Sequence, residues 1–194
     1  MAELESLIER LALALEKAQL KYVIVGGFAA IFRGRPRTTM DIDLIIEADS
    51  QKIPAFLDYL RKLDFDVLDN QIKRALEEDS HASIFDKQSI LRIDLKLATT
   101  LDEKEVLEHA KTETYKGINL QIAPVEQILY GKILYLGDIS DLSDSELLEI
   151  NDALDFINVY RQSKTINIEW LRSKAKQKKV LKTLQRLLKL SQEL

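Results

Sequence analysis

The strongest constraint on the fold lies in residues 22–46, YVIVGGFAAIFRGRPRTTMDIDLII. Residues 22–25 form a short apolar, largely β-branched run, the pattern of a buried strand. Gly26 and Gly27 follow at once, and residues 28–32 read as the first turns of a buried helix. A strand that ends in Gly-Gly and opens a helix lets backbone approach a bound group and turns free N–H groups toward it, which favours an anion. Residues 33–39 are basic and hold Gly34 and Pro36, so they form a loop. A second apolar run, residues 40–46, carries Asp41 and Asp43. Alternate strand residues share a face, so these two carboxylates project together. Side by side in an apolar strand they repel, and a bridging divalent cation removes that cost. Oxygen ligands of this kind suit Mg2+, which shares phosphate oxygens with substrates.

Composition narrows the remaining chemistry. The chain has 194 residues, enough for one good core or two small domains, with 46% hydrophobic and 31% charged residues. It has no cysteine and only two histidines, His81 and His109, which excludes disulfides and cysteine or histidine-rich metal sites. The N-terminal MAELESLIERLALAL is acidic where a signal peptide is basic, and its apolar residues are helically spaced. No apolar run approaches the roughly 18 residues of a membrane span. The expectation is a cytoplasmic protein with no membrane partner. A dinucleotide-binding βαβ reading fails, because the third glycine and the acidic residue ending a second strand are missing.

The pattern of strand, Gly26-Gly27, thirteen residues, then Asp41-Ile42-Asp43-Leu44 resembles the nucleotidyltransferases of the DNA polymerase β superfamily. Within it, the sequence GGFAAIFRGRPRTTMDIDL is most similar to the stand-alone prokaryotic branch that contains abortive-infection and toxin-type enzymes. The likeness is strong over residues 22–46 and loose over residues 1–125. It implies an α+β (α/β) fold, a mixed β-sheet nucleotidyltransferase core with flanking helices and a C-terminal helical region. It also implies a third carboxylate on a strand beside the Asp-x-Asp strand. Residues 90–98, ILRIDLKLA, alternate apolar and polar positions, so Asp94 sits on a polar strand face between Arg92 and Lys96 and is the best match. Asp86, on the preceding strand, is its competitor. In proteins of this kind a lysine or arginine of the first C-terminal helix reaches the triphosphate, a role the resemblance carries to Lys132.

Along the chain, residues 3–18 form an amphipathic helix, and residues 52–63 another, capped by Asp49 or Ser50. Further strands are expected at 64–68, 81–87, 90–98 and 115–123, with short helices at 71–78 and 102–110. Pro124 opens a helix at its first turn. From there everything reads as helical, placing a boundary between a core at 1–124 and a C-terminal helical region at 125–194. That region is expected to hold one helix over 145–162 and another starting near Glu169 behind Asn167. Eight positive charges fall between Arg172 and Lys189, with no acidic residue among them, in a chain of net charge −4. This is a basic surface suited to RNA or DNA phosphates.

Together these readings imply transfer of a nucleoside monophosphate from a nucleoside triphosphate to an acceptor hydroxyl, with pyrophosphate leaving. Two Mg2+ ions, or Mn2+ in their place, would be held by Asp41, Asp43 and Asp94. Backbone amides of Gly26 and Gly27 would hold the β- and γ-phosphates. One of Arg33, Arg35 or Arg37 would neutralise the triphosphate, with Arg37 chosen, and Thr38 or Thr39 would donate to it, with Thr39 chosen. The acceptor is expected to be RNA, with tRNA and a toxin-like role as its sharpest form and an antitoxin-like protein as a partner. The alternatives are a small-molecule transferase of the antibiotic-modifying type, or a non-catalytic nucleotide-binding partner protein.

Overall fold

The computed structural model describes residues 2–78 and 80–193. The chain divides into two compact units, one of residues 1–25 and 39–123, the other of residues 26–38 and 124–194.

The first unit is built on a seven-stranded mixed sheet. Its strands are β1 (Tyr22–Ile24), β2 (Asp41–Ile46), β3 (Phe65–Asp66), β4 (His81–Asp86), β5 (Arg92–Leu97), β6 (Lys111–Tyr115) and β7 (Ile118–Ile122), in the order β3-β4-β5-β2-β1-β7-β6. The β2/β5 and β1/β7 pairs are parallel and the others antiparallel. Burial alternates strictly along β2 and β5. Ile42, Leu44 and Ile46 with Ile93, Leu95 and Leu97 enter the core, while Asp41, Asp43, Arg92, Asp94 and Lys96 share the other face. The helix α1 (Ala2–Ala18) buries Leu7, Ile8, Leu11 and Leu15, and α3 (Lys52–Lys62) buries Phe56 and Leu60. Asp49 Oδ1 accepts from the backbone N–H of Gln51 (2.9 Å) and Lys52 (3.2 Å), satisfying donors at the start of α3. The remaining helices of this unit are α4 (Asp69–Glu77) and α5 (Leu101–Glu108), the latter opened by a reciprocal cap between Thr100 and Glu103.

The second unit is helical. It contains α2 (Gly26–Phe32), α6 (Val125–Leu136), α7 (Asp144–Leu147), α8 (Asn151–Gln162), α9 (Ile168–Gln177) and α10 (Leu181–Glu193). Pro124 occupies the cap position of α6, one residue ahead of the expected first turn.

Several expected elements differ in extent. The strand over 115–123 is the second arm of a hairpin: β6 precedes it, and Lys116 and Gly117, both at positive φ, make the turn. The expected helix over 145–162 is two helices. Ser143 and Glu146 cap α7 reciprocally, and Ile150 is extended before α8 starts. The basic tail also breaks, where Lys179 adopts φ +63° between α9 and α10. The strand expected over 64–68 keeps only Phe65–Asp66 in register with β4.

Candidate active site

The parallel register of β2 and β5 sets Asp41 opposite Arg92 and Asp43 opposite Asp94. On the far side of β5, Ser83 of β4 stands opposite Asp94. Because each of these residues occupies the less buried set of its strand, Asp41, Asp43 and Asp94 lie on one sheet face. Ser83 Oγ donates to Asp94 Oδ1 at 2.6 Å, and Thr39 Oγ1 donates to Asp41 Oδ1 at 2.8 Å. Thr39, expected to donate to phosphate, here donates to a carboxylate oxygen of the acidic face.

Arg92 ties the acidic face together. Its Nε donates to Asp94 Oδ2 at 3.1 Å and its Nη2 to Asp41 Oδ2 at 3.1 Å. The hydrogen bond to Asp94, with the charges of Asp94, Asp41 and Asp43, raises the guanidinium pKa further above its ordinary value, so Arg92 stays charged. Among the described residues no group of three or more histidine, cysteine or acidic side chains is arranged to hold a metal ion. The donor chemistry nonetheless fits a hard cation: three carboxylates on adjacent strand positions, all oxygen. A cation there would compete with Arg92 for the Asp41 and Asp94 oxygens.

Asp86 does not belong to this face. It is 5% exposed and accepts from Arg10 Nη1 and Nη2, each at 2.9 Å, from Ser89 Oγ at 2.6 Å and from the Gln88 N–H at 3.2 Å. Burial alone would raise its pKa, but these donors outweigh it and hold the carboxyl below its usual range. Arg10 also lies 4.7 Å over the Phe65 ring and donates to Leu63 O at 2.9 Å. Asp86 anchors α1 to the edge of the sheet.

An open cavity of about 820 Å³ lies elsewhere on the first unit, lined by Glu47, Asp49, Ser50, Ala98, Thr99 and Lys104. It stands past the C-terminal ends of β2 and β5, whereas the carboxylates begin at the N-terminal ends. Shape alone would favour that cavity. The convergent charged groups on the sheet face make the stronger chemical case.

The other sequence-designated residues, Gly26, Gly27, Arg37 and Lys132, belong to the second unit. Gly26 has φ +63°, the left-handed region that suits glycine at the start of α2. Arg37 and Lys132 meet on a residue the sequence reading passed over, Asp155 of α8. Arg37 Nε and Nη2 donate to its two oxygens at 3.0 and 3.1 Å, Arg35 Nε lies 3.4 Å from Oδ1, and Lys132 Nζ lies 2.8 Å from Oδ2. Lys132 Nζ also donates to Asp152 Oδ1 at 2.6 Å. Ser83 and Asp155 are groups the sequence reading did not name, and Arg92, which alternation placed beside Asp94, was given no role of its own. Ser83 could have been found from the alternation of β4; Asp155 leaves no comparable local signal.

The basic tail is partly committed to structure. Arg186 donates to Asp144 Oδ1, Ile139 O and Leu142 O at 2.6–2.8 Å, and Lys174 lies over the Tyr130 and Trp170 rings. Arg172, Lys176, Lys178, Lys179, Lys182 and Lys189 are exposed. Among the described residues no helix is long and apolar enough to cross a membrane.

Comparison with known proteins bears on this arrangement. Residues 2–81 match a family described as "Nucleotidyltransferase of unknown function (DUF6036)". No curated protein sequence matches the chain. Among solved structures, an antigenic nucleotidyltransferase-like protein from Paracoccidioides brasiliensis superposes with a TM-score of 0.60 at 21% identity, over 97% of this chain and 93% of the other. ANT(2″)-Ia in complex with adenylyl-2″-tobramycin gives 0.56 at 17%, over 86% and 93%. The lincosamide antibiotic adenylyltransferase LnuA, bound to lincomycin, gives 0.51 at 15%, over 82% and 97%. At these identities the likeness is one of fold.

Proposed function

We propose that this chain is a nucleotidyltransferase of the DNA polymerase β type, and that it moves a nucleoside monophosphate from a nucleoside triphosphate to an acceptor hydroxyl in a metal-dependent reaction. The observation that carries the reading is the β2/β5 register, which sets Asp43 beside Asp94 with Asp41 on the same face. In the reaction the acceptor oxygen attacks the α-phosphorus, a new P–O bond forms, and the bond to the bridging oxygen breaks as pyrophosphate leaves. Asp94, steadied by the 2.6 Å bond from Ser83, takes the hydroxyl proton directly or orients the group that does. Asp41 and Asp43, with Asp94, would hold divalent cations, Mg2+ or Mn2+. When bound, such ions supply charge stabilisation to the entering and leaving oxygens. Thr39 keeps Asp41 oriented through its 2.8 Å bond. The Gly26 and Gly27 amides, Arg37 and Lys132 serve the triphosphate.

For the acceptor, RNA is the first reading, with tRNA its sharpest form and a toxin-like role with an antitoxin-like partner as the corollary. It is supported by the exposed lysines of α9 and α10 in a chain of net charge −4. A small-molecule acceptor is the second reading, favoured by the folds of ANT(2″)-Ia and LnuA, whose structures hold an adenylylated or bound antibiotic. Each labelled nucleoside triphosphate, incubated with Mg2+ and either total RNA or an aminoglycoside and lincosamide panel, separates the two. The Asp43→Asn variant serves as control, since it removes charge at nearly constant size. Label in RNA that disappears with Asp43→Asn supports the first reading. Undiminished transfer by that variant would overturn the assignment of the acidic face.

A further inference from the structure

Asp155 is fully buried, at 0% exposure, yet it is surrounded by cations: Arg37 and Arg35 on Oδ1, Arg37 and Lys132 on Oδ2. Asp152, three residues earlier on the same face of α8, is the second carboxylate on Lys132. Three cations against two carboxylates leave a positive excess. Such a cluster is an expensive way to hold helices together, because apolar residues of similar volume commonly serve as well or better. Its arrangement suits another purpose. The Arg37 guanidinium is fixed on two edges, by the paired bonds to Asp155 and by its Nη1 donating to Thr38 O at 3.0 Å. One hydrogen on each Nη nitrogen then remains for an outside acceptor. The loop that carries Arg37 is pinned a second time by α8, where Gln162 Nε2 donates to Gly34 O at 2.8 Å. Gly34 has φ +104°, a conformation that L side chains rarely adopt, and a Cβ there would also push aside the Gln162 amide that holds the loop.

We propose that Asp155 is the positioning residue of the triphosphate contact. It fixes Arg37 through two hydrogen bonds and holds Lys132 by an ion pair, with Arg35 alongside as a charge, so that the remaining donors are preset for a polyphosphate, and it acts on the ligand only through them. This rests on the reading that Arg37 serves the triphosphate. A preset guanidinium loses less freedom on binding than a loose one, so the gain appears in affinity.

The test measures binding of inorganic tripolyphosphate, and of ATP, GTP, CTP and UTP, in Mg2+ by calorimetry. It uses the full chain as wild type, Asp155→Asn, Arg37→Gln, Arg37→Lys and the Asp155→Asn/Arg37→Gln double variant. Circular dichroism confirms folding at the working temperature. Asp155→Asn is expected to weaken tripolyphosphate roughly tenfold or more, the scale of a charge-assisted contact. The double variant is expected to lose less than the two single losses combined, because part of what Asp155 does runs through Arg37. Arg37→Lys keeps the charge but cannot fork onto Asp155, and should also lose roughly tenfold; it decides the matter if Asp155→Asn fails to fold. A folded Asp155→Asn or an Arg37→Lys variant with wild-type affinity overturns the role of Asp155, as do additive losses in the double variant. A wild-type chain that binds none of these ligands overturns the triphosphate reading itself, and the role of Asp155 with it.

Discussion

Asp86 and Asp94 stand on neighbouring strands of one sheet, and a sequence reader could nominate either as the third carboxylate. Changing each to asparagine separates them. Asp86→Asn leaves Arg10, whose side chain is 13% exposed, without its anionic partner. Breaking a buried ion pair from one side costs about 3–5 kcal/mol. Asparagine can still accept from Ser89 and Gln88, so the lower end, about 3 kcal/mol, applies. For a chain of this size that corresponds to a fall of roughly 6–12 °C in Tm. Asp94→Asn behaves differently. Its ion partner Arg92 is 40% exposed, which discounts the pair to about 1 kcal/mol or less. The asparagine oxygen still accepts from Ser83, so Tm should move by no more than about 4 °C. Nucleotidyl transfer by folded Asp86→Asn should stay close to wild type, while Asp94→Asn should lose at least roughly 100-fold. Scanning fluorimetry and a labelled-nucleotide assay on the same preparations read both quantities. Full transfer by Asp94→Asn, or intact Tm in Asp86→Asn, would refute the division of labour between the two faces.

Three further outcomes are expected. Arg92→Gln removes a competitor for the Asp41 and Asp94 oxygens, so Mn2+ measured by electron paramagnetic resonance should bind more tightly than to wild type; weaker binding would show that Arg92 assists the cation. Burial works against ionising Glu103, but Lys96 at 2.5 Å and the Thr100 amide at 2.8 Å prevail and lower its pKa from 4.5 to about 2. A depressed carboxyl stabilises the fold above its unfolded pKa and loses that contribution as pH falls toward the folded value. Glu103→Gln should therefore melt below wild type at neutral pH, and the gap should close between pH 4.5 and about 2. Changing Lys176, Lys178, Lys179 and Lys182 to Glu should raise KM for an RNA acceptor and flatten its salt dependence, since each lost phosphate contact takes roughly 0.7 from the log–log slope for single strands; transfer to a small-molecule acceptor should not change.

Period-two alternation made much of the first unit legible. Ile42 and Leu44 against Asp41 and Asp43, and Ile93 and Leu95 against Arg92 and Asp94, announce strands with one buried and one polar face, and the same pattern places their carboxylates. Alternation fails where neither face is buried. In β6, KTETY, no residue is buried, so nothing apolar marks it and only its hydrogen bonds to β7 define it. Helix breaks were hidden for a related reason. Lys179 at φ +63° is a conformation that sequence assigns to glycine or asparagine, so α9 and α10 read as one amphipathic run. Asp155 was invisible because its meaning is tertiary. Within NDALDF it is a polar residue in a helical pattern, and only the approach of Arg37, 118 positions away, turns it into the centre of an ion cluster.

Each of the two charged clusters holds a counter-charge of its own, but the two counter-charges are of different kinds. Arg92 answers the acidic face with a long side chain that is 40% exposed and can swing away without breaking the packing of β5. Asp155 answers the basic cluster from 0% exposure on a helix flank, with a short side chain that has nowhere to go. An acidic set with a removable counter-charge can exchange it for a cation. A basic set with a fixed counter-charge cannot be neutralised further from within, so its excess stays available to an anion. Under the proposed function, each unit thus carries the charge that suits one ligand: the acidic face a cation, the basic cluster a polyphosphate.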